Sequence, residues 1–211
     1  MESERGGPIS CVVAFFLMCL LQVLPPLPRA QAFVGSSGAA SPAAASRSGF
    51  LRTKEDRAMS FALKLPAFSN GSQIPSRYTC IGEDLSPALA WSGVPPAART
   101  LALIAEDPDA PRGTFTHWLI WNLPARHSEL PQGVPGRETF DDGARQGAND
   151  FGRIGYEGPC PPHGRPHRYF FRLYALDTAL NLESGASRQD LDRAMKGHVL
   201  AQADWMGVFG R

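Results

Sequence analysis

From Met59 onward, apolar residues come in short runs cut by Pro, Gly, Asn and Asp, the rhythm of strands between turns rather than of helices. These runs predict strands over Phe61 to Phe68, Ala88 to Trp91, Thr100 to Ala105, His117 to Asn122 and Arg168 to Leu176. In the last of them Tyr169, Phe171, Leu173 and Ala175 alternate with Phe170, Arg172, Tyr174 and Leu176. Both sets carry apolar groups, so this strand is expected to be covered on both faces and central to its sheet. A helical period appears only late, over Ser187 to Ala201, where Leu191, Ala194, Met195 and His198 share a face and Ser187 can cap with Asp190. The stretch from Pro131 to Gly164, rich in Gly and Pro, reads as one long loop.

Residues 1–58 differ in kind. The apolar run from Cys11 to Leu24 has 14 residues, short of the roughly 18 to 20 that cross a bilayer, and it precedes Ala30-Gln31-Ala32, a small-x-small cleavage pattern. Residues 1–32 therefore read as a signal peptide, which leaves no membrane span in the mature protein. Residues 33–58 are rich in Ser and Ala, carry Arg47, Arg52 and Lys54, and hold no acid before Glu55, a transit-like composition. A signal peptide followed by Phe33 and such a stretch resembles the two-part presequence of plastid proteins in algae with complex plastids. The alternative is a secreted protein with a disordered linker over 33–58. One globular domain, residues 59–211, follows.

Charge narrows the partners of that domain. Past residue 59 there are 15 basic and 16 acidic side chains, which argues against electrostatic capture of nucleic acid or of anionic membrane. Cys80 and Cys160 are the domain's two cysteines, and without a CxxC pair a structural zinc site is not expected. They can form a disulfide in an oxidising setting. His163 and His167 stand four apart, but Pro161, Pro162 and Pro166 exclude the helix that would make them a metal pair. Neither a metal nor another cofactor is expected.

Two segments carry candidate chemistry. In AEDPDAPRGTFTHW, Pro108 ends the strand after Asp107, Asp109 and Pro111 supply turn chemistry, and Gly113 allows the chain to reverse. Such a connection brings Asp107 and His117 to one sheet edge, where His167 opens a further buried strand. In GYEGPCPPHGRPHRY, the Gly- and Pro-rich backbone can present main-chain groups to a small anion, and His167 can add a donor. Asp107 beside that anion would orient and protonate His117, or meet a cationic part of the ligand, which points to a zwitterion. No G-x-S-x-G elbow occurs. Cys160 keeps two readings open: a structural thiol or disulfide with Cys80, and the nucleophile of a cysteine-dependent hydrolase with His167 as base.

Taken together, MSFALKLPAFSNGSQIPSRYTCIGEDLSPALAWSGVP, LALIAEDPDAP with HWLIWN, GYEGPCPPHGRPHRYFFRLYALD and the closing MGVFGR resemble the phosphatidylethanolamine-binding protein family, in particular its bacterial-type Raf kinase inhibitor-like branch. The resemblance covers Met59 to Arg211 in order. It implies a mainly β fold, a β-sandwich with a large central antiparallel sheet and a short C-terminal helix. It also implies a non-catalytic protein with a small pocket for phosphate-like anions or phospholipid head groups, and a kinase or protease as protein partner. Position by position, Asp107, His117, Gly158, Pro159, His167 and Tyr169 match the family's pocket residues. Asp109 matches the second acid of its DPDxP motif, read here as bracing the loop. Arg112 and Cys160 depart from the animal branch, which has a small polar residue and a proline there, and this favours the bacterial-type branch.

Overall fold

The computed structural model of the chain describes residues 60–211. The signal-peptide and transit readings lie outside them. Eight strands, one α-helix and one 3-10 turn (Ser76–Tyr78) make up the regular structure of this part: β1 (Ala62–Lys64), β2 (Leu89–Ser92), β3 (Thr100–Asp107), β4 (Phe115–Pro124), β5 (Glu129–Leu130), β6 (Arg145–Gln146), β7 (His167–Leu176), α1 (Arg188–Met195) and β8 (Val199–Phe209). β1, β2 and β5 form a small antiparallel sheet, while β6-β4-β3-β7-β8 form a large one, with β3 and β7 inside it. The architecture is mainly β with a single short helix near the C-terminus, as the strand rhythm and the resemblance imply.

The period of two in β3 and β7 gives the large sheet two dry faces. Leu101, Leu103 and Ala105 of β3, with Phe171, Leu173 and Ala175 of β7, pack toward Leu63 of β1 and Leu89 and Trp91 of β2. Ala102 and Ile104 of β3, with Leu119 and Trp121 of β4, face the other way, against Leu180 and the buried side of α1, Leu191 and Met195. The α1 N-terminus is closed by a reciprocal cap between Ser187 and Asp190, as its spacing predicts.

The helical reading of 187–201 extends too far. Lys196 leaves the helical region and Gly197 takes a φ of +85°, so the helix stops at Met195. His198 is outside it and pairs with Asp177, and Val199 opens the 11-residue strand β8, unforeseen in the sequence. β8 alternates only weakly, because as an edge strand it is covered on one side by β7 and along Met206 to Val208 by the chain of residues 70–74. The strand expected over Phe61 to Phe68 shrinks to three residues as Pro66 turns the chain. The expected long loop over Pro131 to Gly164 contains β6 and two further bridges.

Consecutive residues at the end of β3 point to opposite faces, and both are acids. Glu106 turns to the helix side, where it accepts from Arg172 Nε at 2.6 Å and from Arg188 Nη1 of α1. The carboxylate is 5% exposed, so its charge is tolerable only with both guanidiniums in place. Glu106→Gln keeps the shape but removes that charge, and is expected to lower the unfolding free energy by about 2 kcal/mol, as chemical denaturation would measure.

Candidate functional site

Asp107, the partner of Glu106 on the other face, enters a cavity of about 180 Å³ at the end of the sheet. Its lining comes from the β3–β4 turn (Ala110, Pro111), from β4 (Phe115, His117) and from β7 (His167, Tyr169), and is completed by Phe151 and by Cys160, Pro161 and Pro162 of the Gly- and Pro-rich segment. Four of the six expected ligand-binding residues therefore converge: Asp107, His117, His167 and Tyr169.

His117 reaches this face through a β-bulge. Ala105 pairs with Trp118 but Glu106 pairs with Thr116, so β4 carries one extra residue at His117. Strict alternation from Trp118 would have turned the imidazole to the helix side, with Leu119 and Trp121; the bulge re-aims it toward Tyr169, whose ring centroid lies 5.3 Å away. The His117 Nδ1–H donates to the Glu157 carbonyl at 2.7 Å, since a carbonyl can only accept, which leaves Nε2 without a protein partner among the described residues.

The same tautomer logic applies to His167. Its Nδ1 lies 2.7 Å from Asp107 Oδ2, so Nδ1–H donates to the carboxylate and Nε2 is left for a ligand. The other oxygen of Asp107 accepts from the Asp109 amide at 2.8 Å, a local turn bond. Both carboxylate oxygens are thus engaged within the protein. This corrects one expectation: Asp107 orients His167, not His117. Protein donors on both of its oxygens weaken the case for a cationic ligand group there.

Asp109 sits outside the cavity and braces the turn. It accepts from the Arg168 backbone N–H at 2.9 Å and from Arg168 Nε and Nη2 at 2.9 and 2.8 Å. Where β3 leaves the ladder at Pro108, this side chain therefore takes over the donor of β7. The guanidinium of Arg168 holds the Asp109 carboxyl well below the usual carboxylate range. Arg168 went unassigned in the sequence, hidden as an exposed member of a strand.

Gly158 and Pro159 lie behind the lining. Gly158 N–H donates to Asp84 Oδ1 at 2.7 Å, and a Cβ on Gly158 would stand 2.3 Å from the Tyr78 carbonyl oxygen, so glycine is required by close packing of two backbones rather than by a ligand. Asp84 itself holds a φ of +55° to present that oxygen. Pro159 accepts from the Cys80 amide through its carbonyl at 3.2 Å. A disulfide joins Cys80 to Cys160. With its sulfur bonded, Cys160 offers no thiolate, and His167 is turned to Asp107, so the cysteine–histidine dyad is not assembled. Phe115, at the start of β4, and Phe151, on a loop where apolar groups carry no pattern, were not singled out in the sequence; Pro161 and Pro162 were read there only as part of a stiff Gly- and Pro-rich backbone.

Tyr169 is the polar group left over. It is 3% exposed, and its hydroxyl has no hydrogen-bond partner among the described residues. Burial raises its pKa well above 10, helped by the charge of Asp107 and by the closeness of that carboxylate to the hydroxyl, although no hydrogen bond of good geometry forms between them, so Tyr169 stays a neutral donor. Burial likewise lowers the His117 pKa from 6.5, opposed by the Glu157 carbonyl and by the charge of Asp107. No group of acidic, histidine or cysteine side chains suited to a metal occurs among the described residues.

The model of the phosphatidylethanolamine-binding protein family matches residues 64–210. The chain belongs to this family. A UPF0098 protein of the archaeon Methanothermobacter thermautotrophicus is 55% identical over 149 residues, covering 71% of this chain and 98% of its own length. Two solved family structures align with a TM-score of 0.67 each. A putative phosphatidylethanolamine-binding protein homolog, CT736 of Chlamydia trachomatis, is 41% identical, over 72% of this chain and 99% of that one. YbcL of E. coli, described as a new member of the mammalian family, is 33% identical over 72% and 98%. Family membership supports a non-catalytic binding protein. The plastid localisation expected from residues 1–58 is overturned, because the matched relatives are archaeal and bacterial proteins from organisms without plastids. Among the described residues no helix is long and apolar enough to cross a membrane.

The lowered pKa of His117 has a stability consequence with a definite sign. The unfolded chain binds a proton near pH 6.5 that the folded chain refuses, so this contribution is fully present above pH 6.5 and is lost as pH falls toward the folded value. Unfolding free energies measured from pH 8 down to pH 5 should fall more steeply for the wild type than for His117→Gln. Parallel curves would mean that His117 titrates alike in both states.

Proposed function

We propose that the cavity binds a small phosphate-like anion, free or as the head group of a larger molecule, and that the protein works as a binding or regulatory module. The observation that carries this reading is the convergence, in one cavity, of the Tyr169 hydroxyl, a buried donor with no well-formed protein hydrogen bond, and of two imidazole Nε2 atoms. Natural proteins rarely leave a buried donor unmet, and a ligand oxygen is a partner that would satisfy it. With both oxygens of Asp107 engaged, the groups left for a ligand are the phenol and the two imidazoles, all able to donate once protonated.

Tyr169→Phe separates this reading from a structural one. Removal of this buried hydroxyl should change the unfolding free energy little, because its near acceptor, Asp107, keeps the His167 and Asp109 donors. Calorimetric titration with inorganic phosphate and with phosphoethanolamine should show an affinity about tenfold weaker in the variant, about 1.4 kcal/mol. Equal affinities in wild type and variant would remove Tyr169 from the site. Loss of fold stability would assign it a structural role.

The anion also changes the proton balance. His117 is held neutral by burial, and a bound anion raises its pKa by supplying the opposite charge. Binding therefore takes up a proton, and phosphate affinity should increase as pH falls from 8 to 6. Titrations at pH 7 in buffers of different ionisation enthalpy measure that uptake directly. An uptake of zero would leave His117 without a role in charge recognition.

A further inference from the structure

The wall formed by Cys160, Pro161 and Pro162 is attached to the domain unevenly. Before Cys160 it is well tied: Tyr156 Oη donates to the Tyr78 carbonyl at 2.6 Å, Gly158 N–H to Asp84 at 2.7 Å, and the Pro159 carbonyl accepts from Cys80. After Cys160 the ties are the Pro161 carbonyl, which accepts from Arg211 Nε at 2.7 Å, and a longer bond from Gly164 N–H to the Arg211 carbonyl, at 3.3 Å. Both come from Arg211. Pro161 is buried, whereas Pro162 through Pro166 are exposed. Among the described residues the disulfide is the one covalent restraint on this stretch between the strands, and past Pro161 the stretch has only the 3.3 Å hydrogen bond to Arg211.

That disulfide is also open to attack. Cys80 is exposed, as are the next four residues, Ile81 to Asp84, whereas Cys160 is half-buried and lines the cavity. An exposed cysteine on one side and a half-buried, cavity-lining one on the other give an incoming thiol a preferred target and a defined leaving group.

We propose that Cys80–Cys160 is a thiol-exchange site that controls the pocket wall, acting on the anion site proposed above. A dithiol reductant attacks Cys80 Sγ with one thiolate; a bond forms between the reductant sulfur and Cys80, the Cys80–Cys160 bond breaks, and its electron pair leaves on Cys160. The second thiol of the reductant then attacks the reductant-side sulfur of this mixed disulfide and releases Cys80. The reductant ends as its own disulfide, two electrons have passed to the protein, and the protons given up by the dithiol are taken by the two protein thiolates. Reduction weakens anion binding in two ways. It frees the wall from Cys160 to Pro166, and it places a thiol or thiolate in the cavity where the anion would sit.

The test uses the full chain, oxidised, dithiothreitol-reduced without denaturant, and as the Cys80→Ser/Cys160→Ser double variant. Reduction should proceed in the folded protein, as near-UV circular dichroism and mass spectrometry of trapped thiols would show. Amide exchange at Cys160, His163, Gly164 and Arg165 should quicken by about tenfold or more in both the reduced protein and the variant. The dissociation constant for inorganic phosphate should rise by about tenfold, and reoxidation should restore it in the wild type. A disulfide that resists dithiothreitol until the protein unfolds overturns the proposal, and so do unchanged exchange at these four amides or equal phosphate affinities in the two forms. If neither form binds phosphate, the anion reading of the pocket is what fails, and the exchange rates still decide whether the disulfide holds the wall.

Discussion

The alternation of side chains at the end of β3 is the constraint on which the rest depends. A strand cannot send adjacent residues to the same face without a bulge, so Glu106 and Asp107 divide between the two sides of the large sheet. Glu106 meets Arg172 and Arg188 and so links the sheet to α1. Asp107 meets His167 and, through its other oxygen, fixes the turn that follows. Two buried carboxylates side by side would repel if they shared a cavity; on opposite faces, each is neutralised by its own partners. One strand end thereby anchors the helix and organises the pocket.

The pocket then follows from a second departure, in the neighbouring strand. The bulge in β4 sets His117 on the face that regular alternation would deny it, across from β7 residues that reach the same face by ordinary register. The loop carrying Glu157 closes on it through two bonds, Nδ1–H to the Glu157 carbonyl and the Glu157 amide to the His117 carbonyl. Each imidazole thus has its Nδ1 fixed by a protein acceptor, and both present Nε2. This shared tautomer is a product of the surroundings of the rings and not of the rings themselves.

Much of this was legible in the sequence, and the misses have physical causes. The strand rhythm found β3, β4 and β7 because buried strands keep strong patterns, while β8, an edge strand half open to solvent, kept little. Asp107, His117, His167 and Tyr169 were readable as one site since each lies on or beside a patterned strand. Their pairing was not: spacing placed Asp107 near His117 along the chain, but the register of β3 with β7 sets it against His167. Gly158 was marked for a ligand, and close packing gives the glycine a reason of its own. A glycine that admits a ligand and one that admits the Tyr78 carbonyl look identical in a sequence, and the structure distinguishes them only through the 2.3 Å approach.

The pocket's charge state sets what it can recognise. A cavity built around a fixed cation would bind any anion of suitable size, and would demand a permanent counter-charge when empty. In this site Asp107 is met by the His167 N–H and a backbone amide, and burial lowers the pKa of His117. On the anion reading proposed above, positive charge at His117 would come as a proton taken up with the ligand, which suits ligands with an oxygen that can both accept from Tyr169 and share a proton near neutral pH. Phosphate monoesters, with a second ionisation near pH 6, and inorganic phosphate, whose second ionisation lies closer to neutrality, would meet that condition. On the same reading a sulfate-like anion, fully ionised and with no proton to share, would be the weaker ligand for these donors.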